Sequence, residues 1–437
     1  MFITPKINAN TRKLNHHPIR NQDYNALSKL LDRQITDEDC NLIFETDIYM
    51  KNVFTTREQI EDVIRHKNDE YNNGKYWIIG LVGLAGAGHY TPAYQMARAL
   101  QNEYNVMLLD PIMLCNPKIA YQNSEAWNTI ARYTPDLWRI VREFMAHEKT
   151  SDLFYRISKV RKYDIYRLIE ELDVYGIFST FTFTNTIMPE LSQLVEKSVI
   201  IIPDVSPVGF ANVPYHKDYA NDKVDYVVIC EDSAIKMKQL YPSFVYQRER
   251  IHIAGNTPCF MDFPDPGYTP LPNTMLASLG SAVGIGSGIQ IMPELLSHFE
   301  GTLILDLGSN QKWKQKAYEY LRHPKKPISC EVILTGCLST SLYEELFRRC
   351  EITLEKCGGS AGSQSACKKG ITGISNSIKG QEEDNEQHWK ELGAISLIKN
   401  KKQLRKFLKD RPETPGLSTI LKRSKSAIDI ALEAFQN

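Results

Sequence analysis

Apolar positions along this chain switch repeatedly between two patterns. Short continuous apolar runs bounded by glycine or an acid predict strands buried on both faces, and the stretches between them repeat apolar residues at helical spacing. YWIIGLVG (76–83), YNVMLLD (104–110), VYGIFSTFTF (174–183), SVIIIPD (198–204), VDYVVIC (224–230) and RIHIAG (250–255) form one strand series. TPAYQMARALQ (91–101) and EDSAIKMKQLY (231–241) are helical patterns between its members. Strand, glycine turn, helix and strand make a right-handed βαβ unit, and hence a parallel sheet. Five prolines in 256–274 then interrupt the alternation, and no helix or strand is expected at that density of missing donors. Behind them a second series begins: MLASLGS (275–281), GTLILDLG (301–308), CEVILTG (330–336), EITLEK (351–356), a Gly/Ser loop, and GITGIS (370–375).

The pattern predicts an α/β protein of two doubly wound domains whose crevice holds the ligand. Its expected parts are a polar, helical N-terminal extension (1–74), an N-terminal Rossmann-like domain (75–260), a C-terminal one (270–412), and a closing helix in 413–437 that packs back on the N-terminal domain. A chain of 437 residues suits this division. With 42% hydrophobic and 24% charged residues it has the balance of a soluble globular protein. Lys and Arg number 52, Asp and Glu 52, so net charge offers no reason to expect nucleic acid as partner. The nine cysteines are odd in number, scattered and without a C-x-x-C pair. That argues against a disulfide framework or a structural zinc site and for a reducing cytoplasm. No apolar run approaches the ~20 residues needed to span a bilayer, and the N-terminus lacks a signal-peptide core.

The candidate chemistry lies at the strand-to-helix turns. In GLAGAGHY (83–90) glycines let the backbone approach a ligand closely, and the first amides of the next helix can hold an anion. Gly83, Gly86 and Gly88 do not have dinucleotide-fingerprint spacing, no Lys-Ser/Thr pair makes a P-loop, and Asp110, the nearest acid for a ribose, is followed by proline. His89, at the first turn of the helix, is a candidate general base. A capping histidine in a packed turn accounts for the same segment. LGSAVGIGSG (279–288), with Gly280 and Ser281, and EKCGGSAGSQSACKKG (355–370) repeat the glycine-rich turn in the second domain, where tight turns alone would also explain them. IKGQEEDNEQHW (378–389) sets Gln381, Glu382 and Asn385 where polar side chains can read hydroxyls, or where acids simply cap a helix.

GAGHYTPAYQMARAL, LGSAVGIGSGIQIMPELL and EKCGGSAGSQSACKKGITGISNSIKGQEEDN together resemble a group of inverting GT-B glycosyltransferases. It contains the monogalactosyldiacylglycerol synthases, the processive diacylglycerol glucosyltransferases and the N-acetylglucosaminyltransferase of the peptidoglycan lipid intermediate. The resemblance covers about residues 76–409. It implies a GT-B fold, a UDP-sugar as co-substrate and no tightly bound metal or other cofactor. It implies His89 as the base that deprotonates an acceptor hydroxyl. Gly86, Gly88, Gly280, Ser281 and Asn385 would line the donor, Gly358, Gly359 and Ser360 would cradle its diphosphate, and Gln381 and Glu382 would hold its sugar. The sequence departs from the group where a glutamate usually contacts the ribose, offering Ser365 or Gln364. The proline of the following Gly-Leu-Pro is replaced in GITGIS, and Asp384 stands in place of a glycine.

Residues 137–172 mix Trp138, Phe144, Phe154, Tyr155, Tyr163 and Tyr166 with arginines and lysines. In the resembled enzymes this region meets the membrane, so a lipid acceptor and a peripheral position on the cytoplasmic membrane face are expected. Ordinary amphipathic helices over the sheet would show the same composition. The alternatives to a lipid-directed transferase are an enzyme for a soluble metabolite or protein, a nucleotide-sugar epimerase, and a non-catalytic nucleotide-sugar-binding protein.

Overall fold

The computed structural model describes residues 1–5, 21–36, 39, 52–83, 87–118, 140, 162–207, 223–240, 248–278, 288–308, 311–336, 338–375 and 382–436. Among the described residues, eight strands make the first sheet: β1 (Phe2–Ile3), β2 (Val53–Phe54), β3 (Trp77–Leu81), β4 (Asn105–Leu109), β5 (Val174–Ser179), β6 (Lys197–Ile201), β7 (Val224–Val228) and β8 (Ile251–Ile253). The second is built from β9 (Leu271–Ser278), β10 (Thr302–Asp306), β11 (Glu331–Thr335), β12 (Cys350–Lys356), β13 (Ile371–Ser375) and β14 (Ser396–Ile398). Both are parallel throughout, in the orders β1-β4-β3-β5-β6-β7-β8, with β2 also on β4, and β11-β10-β9-β12-β13-β14. The second order reverses between β9 and β12, the point where open α/β sheets leave a crevice for ligands. The α/β class with two Rossmann-like units is therefore present as the apolar pattern predicts.

Burial on both faces explains the apolar runs of the inner strands, whereas the edge strand β8, expected to be buried on both faces, is partly exposed, with Ile253 43% exposed. In the first sheet Ile79, Leu81 and Met107 pack with Ile165 and Leu168 of the helix Tyr163–Glu171. Ile78, Val106 and Leu108 face the opposite way, towards Ala93 and Met96 of the helix Ala87–Leu100. The same side is covered by Ala427, Ala431 and Phe435 of the final helix Ala427–Gln436. There Gly176 leaves room for Phe435, whose ring would lie 2.9 Å from an added Cβ.

The first 74 residues carry helices and, in addition, the short strands β1 and β2, which pair with β4. Helix Asn21–Leu31 joins the other unit: Leu27 and Leu31 pack with Phe260, Ile304 and Ile333, and Asp23 accepts a hydrogen bond of 3.1 Å from the Leu334 amide. Among the described residues no helix is long and apolar enough to cross a membrane.

Candidate functional site

Strand β3 ends at Leu81 and the helix Ala87–Leu100 begins a few residues later, so His89 stands in its first turn at the carboxyl edge of the first sheet. The loop after β5 fixes the imidazole. Nδ1 lies 2.7 Å from the Thr180 carbonyl, the Thr180 hydroxyl donates at 2.7 Å to the His89 carbonyl, and the Phe181 ring meets the imidazole edge-on with centroids 5.2 Å apart. A carbonyl only accepts, so Nδ1 carries the proton and Nε2 is the basic nitrogen. Burial pulls the His89 pKa below its ordinary 6.5, against the opposing pull of the Asp204 carboxylate and the Thr180 carbonyl. The ring is thus neutral at neutral pH, the form a general base requires.

From the second sheet, β12 ends at Lys356 and the helix Gly359–Cys367 follows at once. Its N-cap, Gly358, is extended and supplies no side-chain cap. The first intrahelical bond here is from Gly362 N to Gly358 O, 2.7 Å, which leaves the amides of Gly359, Ser360 and Ala361 ahead of it without intrahelical partners. Such a helix start favours an anion. It presses against the first unit so closely that a Cβ on Gly359 would lie 2.3 Å from the Pro203 carbonyl oxygen and 3.0 Å from Asp204 Oδ1. Glycine is required by that approach.

Asp204 follows β6 and is the meeting point of the two units. Asn385 Nδ2 donates to its Oδ1 at 2.8 Å, while Asn385 Oδ1 accepts from the Val205 amide at 2.7 Å. Glu382, buried, pairs with Lys356 at 2.8 Å, and one of its oxygens lies 3.5 Å from where a Gly358 Cβ would stand. Asn385 and Gly359 thus lie against Asp204, whose charge also acts on His89, and Glu382 stands beside Gly358 next to them. Ser360 is buried beside them and takes a long 3.4 Å contact from Gln364 Nε2. Nothing lies within 4 Å of a Cβ built on Gly88, so among the described residues no close approach requires glycine there.

Ser365 lies apart, further along the helix and fully buried, donating at 3.2 Å to Glu355 Oε2. Glu355, in β12, has its other oxygen unpartnered among the described residues. Burial pushes its pKa up to about 8, with the Ser365 hydroxyl and Lys368 pulling down and Asp306 pushing further up. Asp306, at the end of β10 and in register with Ser278 and Thr335, is itself raised to about 6 by burial, against bonds from the Gly308 amide and Ser278. A row of buried polar groups therefore lines the carboxyl edge of the second sheet.

Gly86, Gly280, Ser281 and Gln381 lie outside the described residues, as do Trp138, Phe144, Phe154 and Tyr155 of the basic aromatic segment. In its described part, Lys162 is buried in an ion pair with Glu190, and the Tyr166 hydroxyl donates to the same carboxylate, whereas Tyr163 is 69% exposed. Asp110 is a capping residue, its Oδ1 accepting from the Ile112 and Met113 amides at 2.9 and 3.0 Å. Asp204, Glu355 and Asp306 were not singled out in the sequence. Their common signal is an acid closing an apolar strand run, in IIPD, LILD and ITLE.

No protein-family model matches the chain, and no curated protein matches it. Among solved structures it is similar to MurG of Acinetobacter baumannii, with 12% identity over 83% of this chain and 95% of that one and a TM-score of 0.43. It is also similar to the glycosyltransferase SnogD from Streptomyces nogalater, with 12% identity over 82% and 98% and a TM-score of 0.45. The UDP-GlcNAc 2-epimerase of Methanocaldococcus jannaschii, in complex with UDP-GlcNAc and UDP, has 12% identity over 83% and 99% and a TM-score of 0.46.

Proposed function

We propose that the chain is an inverting glycosyltransferase that moves a sugar from a nucleotide sugar, a UDP-sugar in our reading, to an acceptor hydroxyl. The observation that carries this is the pairing across the junction. A neutral imidazole with its basic nitrogen defined and the helix start at Gly359 without a side-chain cap both lie close to Asp204. His89 would take the acceptor's proton while the helix amides stabilise the departing diphosphate, a single displacement that needs no metal when amides and the helix dipole supply the positive field. In this reading residues 75–260 receive the acceptor and 270–412 the donor. Glu382 would meet the sugar, and Asp204 would stabilise the imidazolium as it forms. The acceptor would be a lipid hydroxyl at the cytoplasmic membrane face, which the basic, aromatic composition of 137–172 supports.

The test is calorimetric titration with a panel of nucleotide sugars, joined to a UDP-release assay on diacylglycerol vesicles and on soluble alcohols. Saturable binding of a UDP-sugar is expected, with release that falls by about 100-fold or more in His89→Ala at unchanged donor affinity. Absence of binding to every nucleotide sugar would remove the donor site and the proposal with it. Release on soluble alcohols alone would leave the transferase and discard the lipid.

A further inference from the structure

The chain crosses from the first sheet to the second through residues 256–262, and this crossing touches both units. The Thr257 amide donates to Ser363 Oγ at 3.2 Å in the Gly359–Cys367 helix, and the Ala427 amide at the start of the final helix donates to Asp262 Oδ1 at 3.3 Å. At this crossing the Cys259 and Cys367 sulfurs and a carboxylate oxygen of Asp262 lie within 4.8 Å of one another. Cys259 is fully buried, the Asp262 side chain is 3% exposed, and Cys367 is half-buried. Asp262 is held in place by Asn256 Nδ2 at 3.3 Å to either oxygen and by the Cys259 amide at 2.9 Å.

We propose that Cys259, Asp262 and Cys367 bind a soft divalent cation of the zinc class. Two sulfurs and one oxygen converging from one turn and one helix form a ligand set suited to zinc, with the carboxylate held by hydrogen bonds from Asn256 and the Cys259 amide. Charge agrees with the assignment. Two thiolates and a carboxylate carry three negative charges, Arg423, 3.9 Å from Asp262, returns one, and a divalent cation cancels the remaining two. Binding releases two thiol protons to solvent as the metal–sulfur bonds form. A water would complete the tetrahedron on the half-buried side at Cys367. The ion would tie the crossing to the far end of the helix whose start lies at the candidate site, and it stands independently of the proposed transferase activity.

The full chain is purified in a non-chelating phosphine reductant, dialysed against zinc and then against metal-free buffer, and its metal is measured by atomic emission. About one zinc per chain is expected in the wild type and in Cys115→Ser, an exposed cysteine in the first unit, and none in Cys367→Ser. Cobalt titration should give thiolate-to-metal charge-transfer absorption that Cys367→Ser lacks. Zinc should slow maleimide labelling of Cys367 in the wild type, a readout that needs no variant to fold. No retained zinc, equal retention in Cys367→Ser, or recovery of a Cys259–Cys367 disulfide peptide from metal-free protein as isolated without reductant would overturn the assignment.

Discussion

Burial acts on His89 and Glu355 in the same sense, favouring the neutral form of each, and so moves their pKa values in opposite directions. For Glu355 this has a measurable consequence for stability. Its folded pKa of about 8 lies above the reference 4.5, so the folded chain binds more protons and is favoured at low pH. That contribution is complete below 4.5 and is lost as pH rises towards 8. Asp306, raised to about 6, acts in the same direction within the window, while Lys368, lowered from 10.5 to about 8, titrates above it. Glu355→Gln, neutral throughout, should flatten the fall in melting temperature across that window and leave the protein more stable than wild type at its upper end. An unchanged slope would show that Glu355 is ionised in the folded chain. His89 was visible in the sequence because it follows a glycine turn, but its proton position was not, since that depends on the Thr180 carbonyl ninety-one residues away.

The helix Gly359–Cys367 shows how an element escapes a reading of its own residues. Glycine and serine are weak helix formers, and the segment reads as a loop. It is helical because its small side chains allow close packing on two sides, Pro203 against Gly359 and the Trp389 ring 2.9 Å from a Cβ built on Gly362. Gly359→Ala places a methyl group against a backbone oxygen that cannot rotate away. The substitution should destabilise the chain by about 1–3 kcal/mol in urea unfolding, the range for overpacked sites, despite the better helix propensity of alanine. A gain in stability would show that the two units do not meet at this glycine in solution. The strands β3 to β7, by contrast, were legible from runs dominated by apolar residues. The two-residue strands β1 and β2 were not, because two residues carry no period.

The two units are interlocked rather than joined end to end. The first helix packs on the second sheet, and the last helix packs on the first. Arg98 crosses between them, 2.9 Å from Glu344 with its guanidinium 4.3 Å above the Phe263 ring. A substitution near the C-terminus should therefore destabilise the core of the first unit. Phe435, fully buried among Phe178, Val199 and Ile201, should cost about 3–5 kcal/mol as Phe435→Ala, read by denaturant unfolding with tryptophan fluorescence from the first unit. A loss below 1 kcal/mol would mean that the last helix is not docked there in solution.

Local periodicity was enough to establish the α/β class, the parallel strands and the position of His89, because strands buried on both faces and amphipathic helices leave their pattern in neighbouring residues. It could not establish which groups from distant segments share a site. Asp204, the Gly359 helix start and Asn385 meet through strand order and the close approach of two units, and Cys259 meets Cys367 only because the crossing passes that helix's end. Proton positions, pKa shifts and ligand sets arise from burial and from contacts across long sequence separations, and those exist only once the chain has folded.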